Sequence, residues 1–450
     1  MRNRHLAGPP MLLAIDDTDA PSGGCTTRVV LDVLSALPTG VVPRGLPRLV
    51  RLNPNVPWKT RGNGAVCLPL GTPDGARAQV GEWRGMQVLA FPEGDPVAPD
   101  ADLFARVTAA VRLAAQPGAA PGVALFPHAP SPFGYWAAVR TVVEPGEARK
   151  ACLAEGARFE AEGDGRALVG CLAAAAWPGP PTSYEFLAYR EPARCGEARS
   201  IDPGPLLPLD AEGVTFHTHD PKAGRLACVP STPDPVLCGL RGHDPDLLRD
   251  AAVRTLLQAA GEPVDAWLLF ATNQASGDHV TPAGPLAEAP AYATVEARAR
   301  VTSPPRRGAG GHVFVPMEDA AGAPFVAAAF EPTKGFRDAV AALRPGDAVR
   351  VVGALRGEAG RWTLHLEKLY VESLGEAWEQ GPNPTCPSCG KRMKSRGAGA
   401  GYRCGTCRTR APADAVGKAI LPRRLRPGAY EVPVLARRHL HRPEAWTSPP

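Results

Sequence analysis

Leu12-Leu13-Ala14-Ile15-Asp16-Asp17-Thr18-Asp19, followed by Gly23-Gly24-Cys25-Thr26-Thr27, is the stretch that decides how the rest of the chain is read. A short apolar run, the pattern of a buried strand, ends in three carboxylates within four positions. Carboxylates crowded at a strand end repel one another, so a counterion is expected. For an oxygen-rich site the usual one is Mg²⁺, which commonly accompanies a polyphosphate. Gly23, Gly24 and the start of a helix predicted over Arg28–Leu37 offer free N–H groups to an anion. Asp16, Asp17 and Asp19 are therefore candidate catalytic groups, with Asp16 and Asp17 as the magnesium ligands. A strand-to-helix turn with Asp as cap accounts for the same residues without any chemistry. The rest of the chain has to decide.

A length of 450 residues implies about three or four domains. Apolar content of 44% suffices for real cores, and 51 Pro and 48 Gly are spread without a repeat, so a loop-rich globular protein is expected and not a linker or collagen. No run of about 18 apolar residues predicts a membrane span. Residues 1–10 lack a signal-type apolar segment and read as a loose extension, which points to the cytoplasm. Eleven cysteines, an odd number scattered apart from one cluster, are not a disulfide framework. Charge is uneven: from Asn383 onward there are fourteen Lys/Arg against three Asp/Glu, or +11, so the preceding residues sum to −6 within the total of +5. A basic end on a mildly acidic body suggests a polyanionic partner held at one end.

Leu49–Leu52 reads as a strand, followed by the loop Asn53-Pro54-Asn55-Val56-Pro57-Trp58-Lys59-Thr60-Arg61-Gly62-Asn63-Gly64 and a strand from Ala65 to Leu68. No acid lies between Asp32 and Asp74, while Arg44, Arg48, Arg51, Lys59 and Arg61 do. The glycines allow close approach of backbone to a ligand, and Lys59 and Arg61 complement phosphate. Lys59 joins the candidate catalytic residues. Gly23, Gly24, Arg61, Gly62, Asn63 and Gly64 are the candidate ATP-binding set. A surface turn with two solvated cations explains the charge but not the absence of acid.

These motifs, together with Phe133-Gly134-Tyr135-Trp136, Tyr184-Glu185, Pro233-Asp234-Pro235, Gly239-Leu240-Arg241-Gly242, Thr272-Asn273-Gln274 and Glu331-Pro332-Thr333-Lys334, occur in an order that resembles the archaeal tRNA(Ile) 2-agmatinylcytidine synthetase family. The resemblance covers nearly the whole chain. It implies a multidomain α+β protein: an α/β kinase-like catalytic domain over 11–160, a ferredoxin-like agmatine-binding domain over 161–285, an OB-fold over 290–375, a zinc ribbon over 383–411 and a basic tail over 412–450. It also implies that Thr26 is the position of an autophosphorylated threonine. Capping the helix is the simpler role for that hydroxyl.

Within the second unit, strands are predicted at Arg166–Cys171, Tyr184–Ala188, Thr215–Thr218 and Trp267–Thr272, with helices at Arg149–Glu160 before it and Asp246–Ala259 inside it. A guanidinium ligand needs carboxylates and carbonyls in a forked arrangement. Asp202, Asp234 and Asp278 are the candidates, each equally able to close a turn. His217, His219 and His279 lack nearby cysteines and are read as polar surface or RNA-contacting residues.

From Ala291 the pattern becomes alternating strands at Ala293–Val301, Gly311–Pro316, Pro324–Phe330, Asp347–Leu355 and Arg361–Tyr370. A helix, Phe336–Leu343, falls between the third and fourth, as in an OB-fold. Lys334 and Arg337 are candidate RNA contacts there. Cys386-Pro-Ser-Cys389 and Cys404-Gly-Thr-Cys407, separated by fourteen residues, are the strongest local signal: four thiolates for one structural Zn²⁺. Lys391, Arg392, Lys394, Arg403 and Arg408 surround them as candidate RNA contacts, with Tyr402 available to stack. The tail adds Lys418, Arg423, Arg424, Arg426, Arg437, Arg438 and Arg442, expected to order fully on RNA.

The resemblance implies a ligase that uses ATP to phosphorylate the C2 oxygen of the wobble cytidine in isoleucine tRNA with a CAU anticodon. Agmatine then replaces that oxygen, and the anticodon reads AUA. No Walker A sequence is present, so the nucleotide site is of another kind. The reading from a different class is a non-catalytic single-stranded RNA-binding protein.

Overall fold

The opening apolar run forms a strand over Met11–Asp16, its first five residues buried. In the computed structural model, which describes residues 11–446 except 98–99, 231–232, 283, 359–360, 377, 417 and 421, it lies in mid-sheet. It runs antiparallel to Gly64–Gly71 on one side and to Gly122–Phe126 on the other. Alternation sends Leu13 and Ile15 to one face and Leu12 and Ala14 to the other. The first face packs on helices Thr26–Ala36 and Ala101–Ala114 through Val29, Val33, Leu103 and Val107. The second is covered by Phe133–Arg140, Pro145–Ala154 and Ala167–Ala176. Apolar on both faces, the strand can only be central.

The sheet does not stop at the expected edge of the first unit. Val264–Thr272 runs parallel to Arg48–Arg51, with Ala271 opposite Arg48 and Thr272 opposite Leu49, and Ser183–Arg190 and Val236–Gly242 follow. Eleven strands therefore form one sheet spanning both of the first two units. Helix Pro245–Ala259 buries Leu248, Ala252 and Leu256 against its far end.

Several predicted elements change identity. Arg166–Cys171, read as a strand, begins helix Ala167–Ala176. All but one of its residues are buried, so it carries no helical periodicity, and a short apolar run cannot then be told from a strand. The helix read over Arg149–Glu160 ends at Ala154, and a strand, Arg158–Ala161, follows the left-handed Gly156. Thr215–Thr218 is not a strand, because His217 adopts φ +56°. His217 and His219 therefore share no strand face. Helix Phe133–Arg140 and the hairpin Ala78–Trp83 with Met86–Ala90 went unread.

Five strands, Thr294–Val301, Val313–Asp319, Pro324–Ala329, Ala348–Arg356 and Thr363–Ser373, pair in a ring and close a barrel. Helix Gly335–Ala341 sits between the third and fourth, as expected. The last segment is not a free arm awaiting RNA. Strand Gly428–Glu431 adds to the barrel along Lys368–Val371, and Leu440 is buried against the first sheet among Leu12, Val50 and Tyr135. Three of its arginines are paired internally: Arg423 with Asp347, Arg437 with Glu431 and Arg438 with Glu367. The side chain of Lys418 lies outside the described residues. No helix among the described residues is long and apolar enough to cross a membrane.

Candidate active site and zinc ribbon

Asp16 ends its strand and Asp17 follows at φ +56°, a left-handed conformation costing a non-glycine residue about 1 kcal/mol. The Asp17 N–H donates to Asp16 Oδ1 at 2.8 Å. Asp16 is pressed against helix Ala167–Ala176 at Gly170, where an added Cβ would stand 1.9 Å from Oδ2. Burial, then the charge of Asp17, holds the Asp16 carboxyl well above the usual range. Burial, with Asp19 and Asp164, raises Asp17 to about 6. Burial also raises Asp19, against the pull of Arg61. Carboxylates in this state demand a cation or a proton. The three do not converge on one point, since the cysteine cluster alone among the described residues brings three or more such ligand atoms within 4.8 Å of one another. Asp16 and Asp17 thus fit Mg²⁺ that draws its remaining ligands from water and phosphate.

Asp19 turns instead to Arg61. Arg61 Nη1 donates to Asp19 Oδ2 at 2.5 Å and to Gly24 O at 3.2 Å, Nη2 donates to Ala20 O at 3.0 Å, and Nε lies 3.8 Å from Asp234 Oδ2. The predicted phosphate cation is therefore tied to two carboxylates and two carbonyls. Gly23 and Gly24 take positive φ, but they supply this turn and line neither cavity described below. Gly24 has no room for a Cβ, which would meet Gln116 Cβ at 2.8 Å.

Two cavities meet at the Asp19–Arg61 pair. The first, about 270 Å³, is lined by Asp16, Asp17, Lys59, Asn63, Asp164 and Arg166. Lys59 Nζ donates to Pro54 O, and burial, with Arg438 and Arg356, lowers it to about 8. Arg166 lies over the Trp58 ring, 4.3 Å from its centroid, at the edge of this cavity. The second, about 360 Å³, is lined by Thr26, Arg51, Glu185, Asp234, Arg241 and His439. Asp19, Arg61, Gly62 and Gly64 line both. The buried Thr26 hydroxyl accepts from the Thr18 hydroxyl at 3.1 Å and does not cap its helix, whose N-cap is Cys25.

Of the candidate guanidinium ligands, Asp234 faces the second cavity while pairing with Arg199 at 3.1 Å. Asp202 lies elsewhere, exposed, closing a turn onto the Gly204 N–H at 2.9 Å. Asp278 accepts from the Tyr135 hydroxyl at 2.5 Å and lines neither cavity. His279 is not surface: it is buried on Glu367, 3.2 Å away. Glu185, missed as a site residue, is gripped by Arg241 Nε at 3.0 Å and Arg51 Nη2 at 3.2 Å, and these cations hold its carboxyl low despite burial. Gln274 Nε2 also donates to it. Asp164, Arg166 and His439 were missed as well. The first two sit beyond a predicted domain edge, and the third lies nearly 380 residues downstream of Arg61.

On the barrel Lys334 is exposed and paired with Glu331, and Arg337 is half-buried beside Gly311. Phe336 is core, whereas Phe330 is half-buried among His312, Phe314 and His365. Lys391, Arg392, Lys394, Arg403 and Arg408 are all exposed around the cysteines. Tyr402 is not available to stack, being buried with Met393 under the ribbon. Cys386, Cys389, Cys404 and Cys407 bring their sulfurs within 4.8 Å of one another. The Cys386–Cys407 and Cys389–Cys404 separations are 3.3 and 3.5 Å, close to the ~3.8 Å edge of a tetrahedral Zn–thiolate site. The four thiolates form a closed structural zinc site.

Fold and site define a multidomain α/β protein in which a half-buried acidic strand end lines one of two joined cavities, with a closed five-stranded barrel and a zinc ribbon attached. Family models match residues 12–162 as the TiaS TCKD domain, 165–279 as the TiaS FLD domain and 383–425 as the TiaS C-terminal zinc ribbon domain. The isoleucine-tRNA 2-agmatinylcytidine synthetases TiaS of Methanosarcina mazei and Archaeoglobus fulgidus are each 36% identical, with 96% of both chains covered. Among solved structures, a complex of TiaS with its isoleucine tRNA and ATP superimposes with a TM-score of 0.79 at 32% identity over 98% of both chains. A complex of TiaS with the same tRNA, AMPCPP and agmatine gives 0.78 at 30% identity over 97% of both. The chain belongs to the isoleucine-tRNA 2-agmatinylcytidine synthetase family.

Proposed function

We propose that this protein is a cytoplasmic ATP-dependent ligase that installs agmatine on the wobble cytidine of isoleucine tRNA with a CAU anticodon. The observation that carries the reading is the pair of cavities sharing the Asp19–Arg61 wall, which lets two small substrates meet at one nucleobase. The relatives solved with isoleucine tRNA, ATP or its analogue, and agmatine support it. In this reading the N-terminal unit acts as a kinase and its ferredoxin-like neighbour holds agmatine. The barrel serves as an OB-fold grip on RNA, together with Lys334, Arg337 and the ribbon cations.

The first cavity takes the triphosphate and the cytidine. Asp16 and Asp17 hold Mg²⁺, which when bound neutralises and aligns the phosphates. Lys59, Asn63 and Gly64 approach the phosphates from the loop. The C2 oxygen attacks the γ-phosphorus and ADP leaves, so a poor leaving group becomes phosphate. The amine nitrogen then bonds to C2, the C2–O bond breaks, and phosphate departs with the electron pair and takes up the proton that the nitrogen loses. Thr26 lines the second cavity, across the shared wall, where transient phosphorylation of its hydroxyl would reach the same chemistry. The second cavity takes agmatine, with Asp234 and Asp19 as guanidinium partners.

Nucleosides from isoleucine tRNA incubated with protein, ATP and agmatine are the test. Mass spectrometry should show cytidine gaining the mass of agmatine minus water, and Asp16→Ala should abolish it. A parent protein that gives no such gain, or an Asp16→Ala variant that turns over as fast, would refute the reading. Tight RNA binding without ATP consumption would favour the non-catalytic alternative.

A further inference from the structure

The second cavity has one wall that no other feature explains. His439 comes from the C-terminal segment, which crosses the molecule to reach it. Its carbonyl accepts from Ala275 N–H at 2.8 Å, and the carbonyl of Leu440 accepts from Gly277 N–H at 2.9 Å. Arg438 Nη1 donates to Pro54 O at 2.9 Å, and its Nε lies 3.1 Å from Glu367 Oε1. The ring is therefore delivered by a segment pinned on both sides.

Its protonation pattern follows from the hydrogen bonds behind it. Glu185, ionised between Arg51 and Arg241, can only accept. Gln274 must therefore point its Nε2 at Glu185, which turns its Oε1 toward His439. That oxygen only accepts, so His439 Nδ1 carries the hydrogen across the 3.0 Å contact. The lone pair is left on Nε2. Burial, and then the cations Arg51, Arg241 and Lys59, keep the ring neutral. Nε2 has no hydrogen-bond partner among the described residues. It lies beside Gly62, where an added Cβ would stand 2.8 Å away, and Gly62 belongs to the wall between the two cavities. A side chain at position 62 would cover the acceptor, and glycine leaves it open.

We propose that His439 Nε2 is the acceptor that holds the attacking primary amine of agmatine at the shared wall, with Gln274 fixing the ring as a positioning residue. The inference rests on the second cavity being the agmatine site. Arg51, Arg61, Arg241 and Lys59 around it are donors, so an incoming N–H finds an uncommitted acceptor in this imidazole. The amine enters as the free base, its ammonium proton left to water; one of its hydrogens engages Nε2, and the nitrogen lone pair is aimed across the wall at C2. The proton that nitrogen loses on bonding to C2 goes to the departing phosphate, so none is transferred to the ring.

Steady-state incorporation of radiolabelled agmatine into isoleucine tRNA, with the full-length protein, tests the assignment. His439→Asn keeps a donor toward Gln274 but loses the distal acceptor. It should raise KM for agmatine about three- to tenfold, the effect of one neutral hydrogen bond, with KM for ATP unchanged. His439→Gln places an amide oxygen near the former Nε2 and should recover most of the loss. Gly62→Ala, acting from the opposite side, should raise the same constant. Wild-type KM for agmatine in His439→Asn would overturn the proposal. So would equal impairment of the Asn and Gln variants with KM for ATP and melting temperature shifted alongside, which marks a purely structural pin. Calorimetric titration with agmatine reads the contact without turnover. If the parent binds agmatine but transfers none, and His439→Asn binds it several-fold more weakly, the ligase reading falls and the contact between Nε2 and the amine stands without it.

Discussion

Gly170 illustrates what one residue decides. Nothing in Leu168-Val169-Gly170-Cys171 announces a site, yet only a missing side chain lets a helix lie against the Asp16 carboxylate. Gly170→Ala must push either the helix or Asp16 away. We expect about 1–3 kcal/mol of destabilisation in chemical denaturation and loss of ATP turnover, and an alanine variant with parental turnover would show that Asp16 has other room. Glu185 is the second such position. Glu185→Ala would strand Arg51 and Arg241 without their shared carboxylate. The expected cost is about 1–3 kcal/mol in denaturation midpoint measurements, because the two half-buried cations lose their shared buried carboxylate. The Asp-Asp-Thr-Asp run and the Lys59–Gly64 loop stood out as an acidic and a basic element from charge alone, and both line the first cavity. Their partners Arg166, Glu185 and His439 were not, since each belongs to a different segment and carries no local pattern.

At the scale of elements, the C-terminal segment changes most between sequence and structure. Its basic composition resembles a solvated arm, but Asp347 and Glu367, which pair with Arg423 and Arg438, lie more than 70 residues upstream, as do most of its apolar partners. His217 is clasped by Arg437 and stacked by Trp446, the ring planes 5° apart. Burial, with the Arg437 charge, lowers His217 to about 3. Between the unfolded value near ~6.5 and about 3 the unfolded chain takes up a proton that the folded one refuses. Stability is therefore complete above ~6.5 and falls on acidification by about 1.4 kcal/mol per pH unit from this group. Thermal melts from pH 7 to 4 should decline, with a shallower slope in His217→Gln. An identical slope in that variant would assign the decline to another group; Glu431, which His441 and then Arg437 lower to about 2, contributes only below about pH 4.5. The ribbon is the opposite case. Its small cluster buries Met393 and Tyr402 together with two of the ligand cysteines, so its fold depends on the metal. Chelation should abolish protection of amides 383–411 in hydrogen exchange while leaving the barrel protected.

The whole molecule is joined by pairings that cross the units the sequence suggests. Because Ala271 and Thr272 pair with Arg48 and Leu49, the first two units share one sheet and should unfold together. Calorimetry should give one transition for both; a resolved pair would mean the shared ladder contributes little. What the sequence determined by itself is whatever depends on neighbours in the chain. The strand and acidic end of Leu12–Asp19, the closed barrel with its inserted helix, and the four-thiolate ribbon all follow from period, turn residues and ligand spacing. Tertiary structure alone decided that Arg61 leans on Asp19 instead of facing free phosphate, that Asp202 lies outside the site, and that a residue near the C terminus completes the second cavity. Those outcomes rest on burial and on donor–acceptor matching between distant segments, and no local pattern in a chain encodes which distant partner will be there.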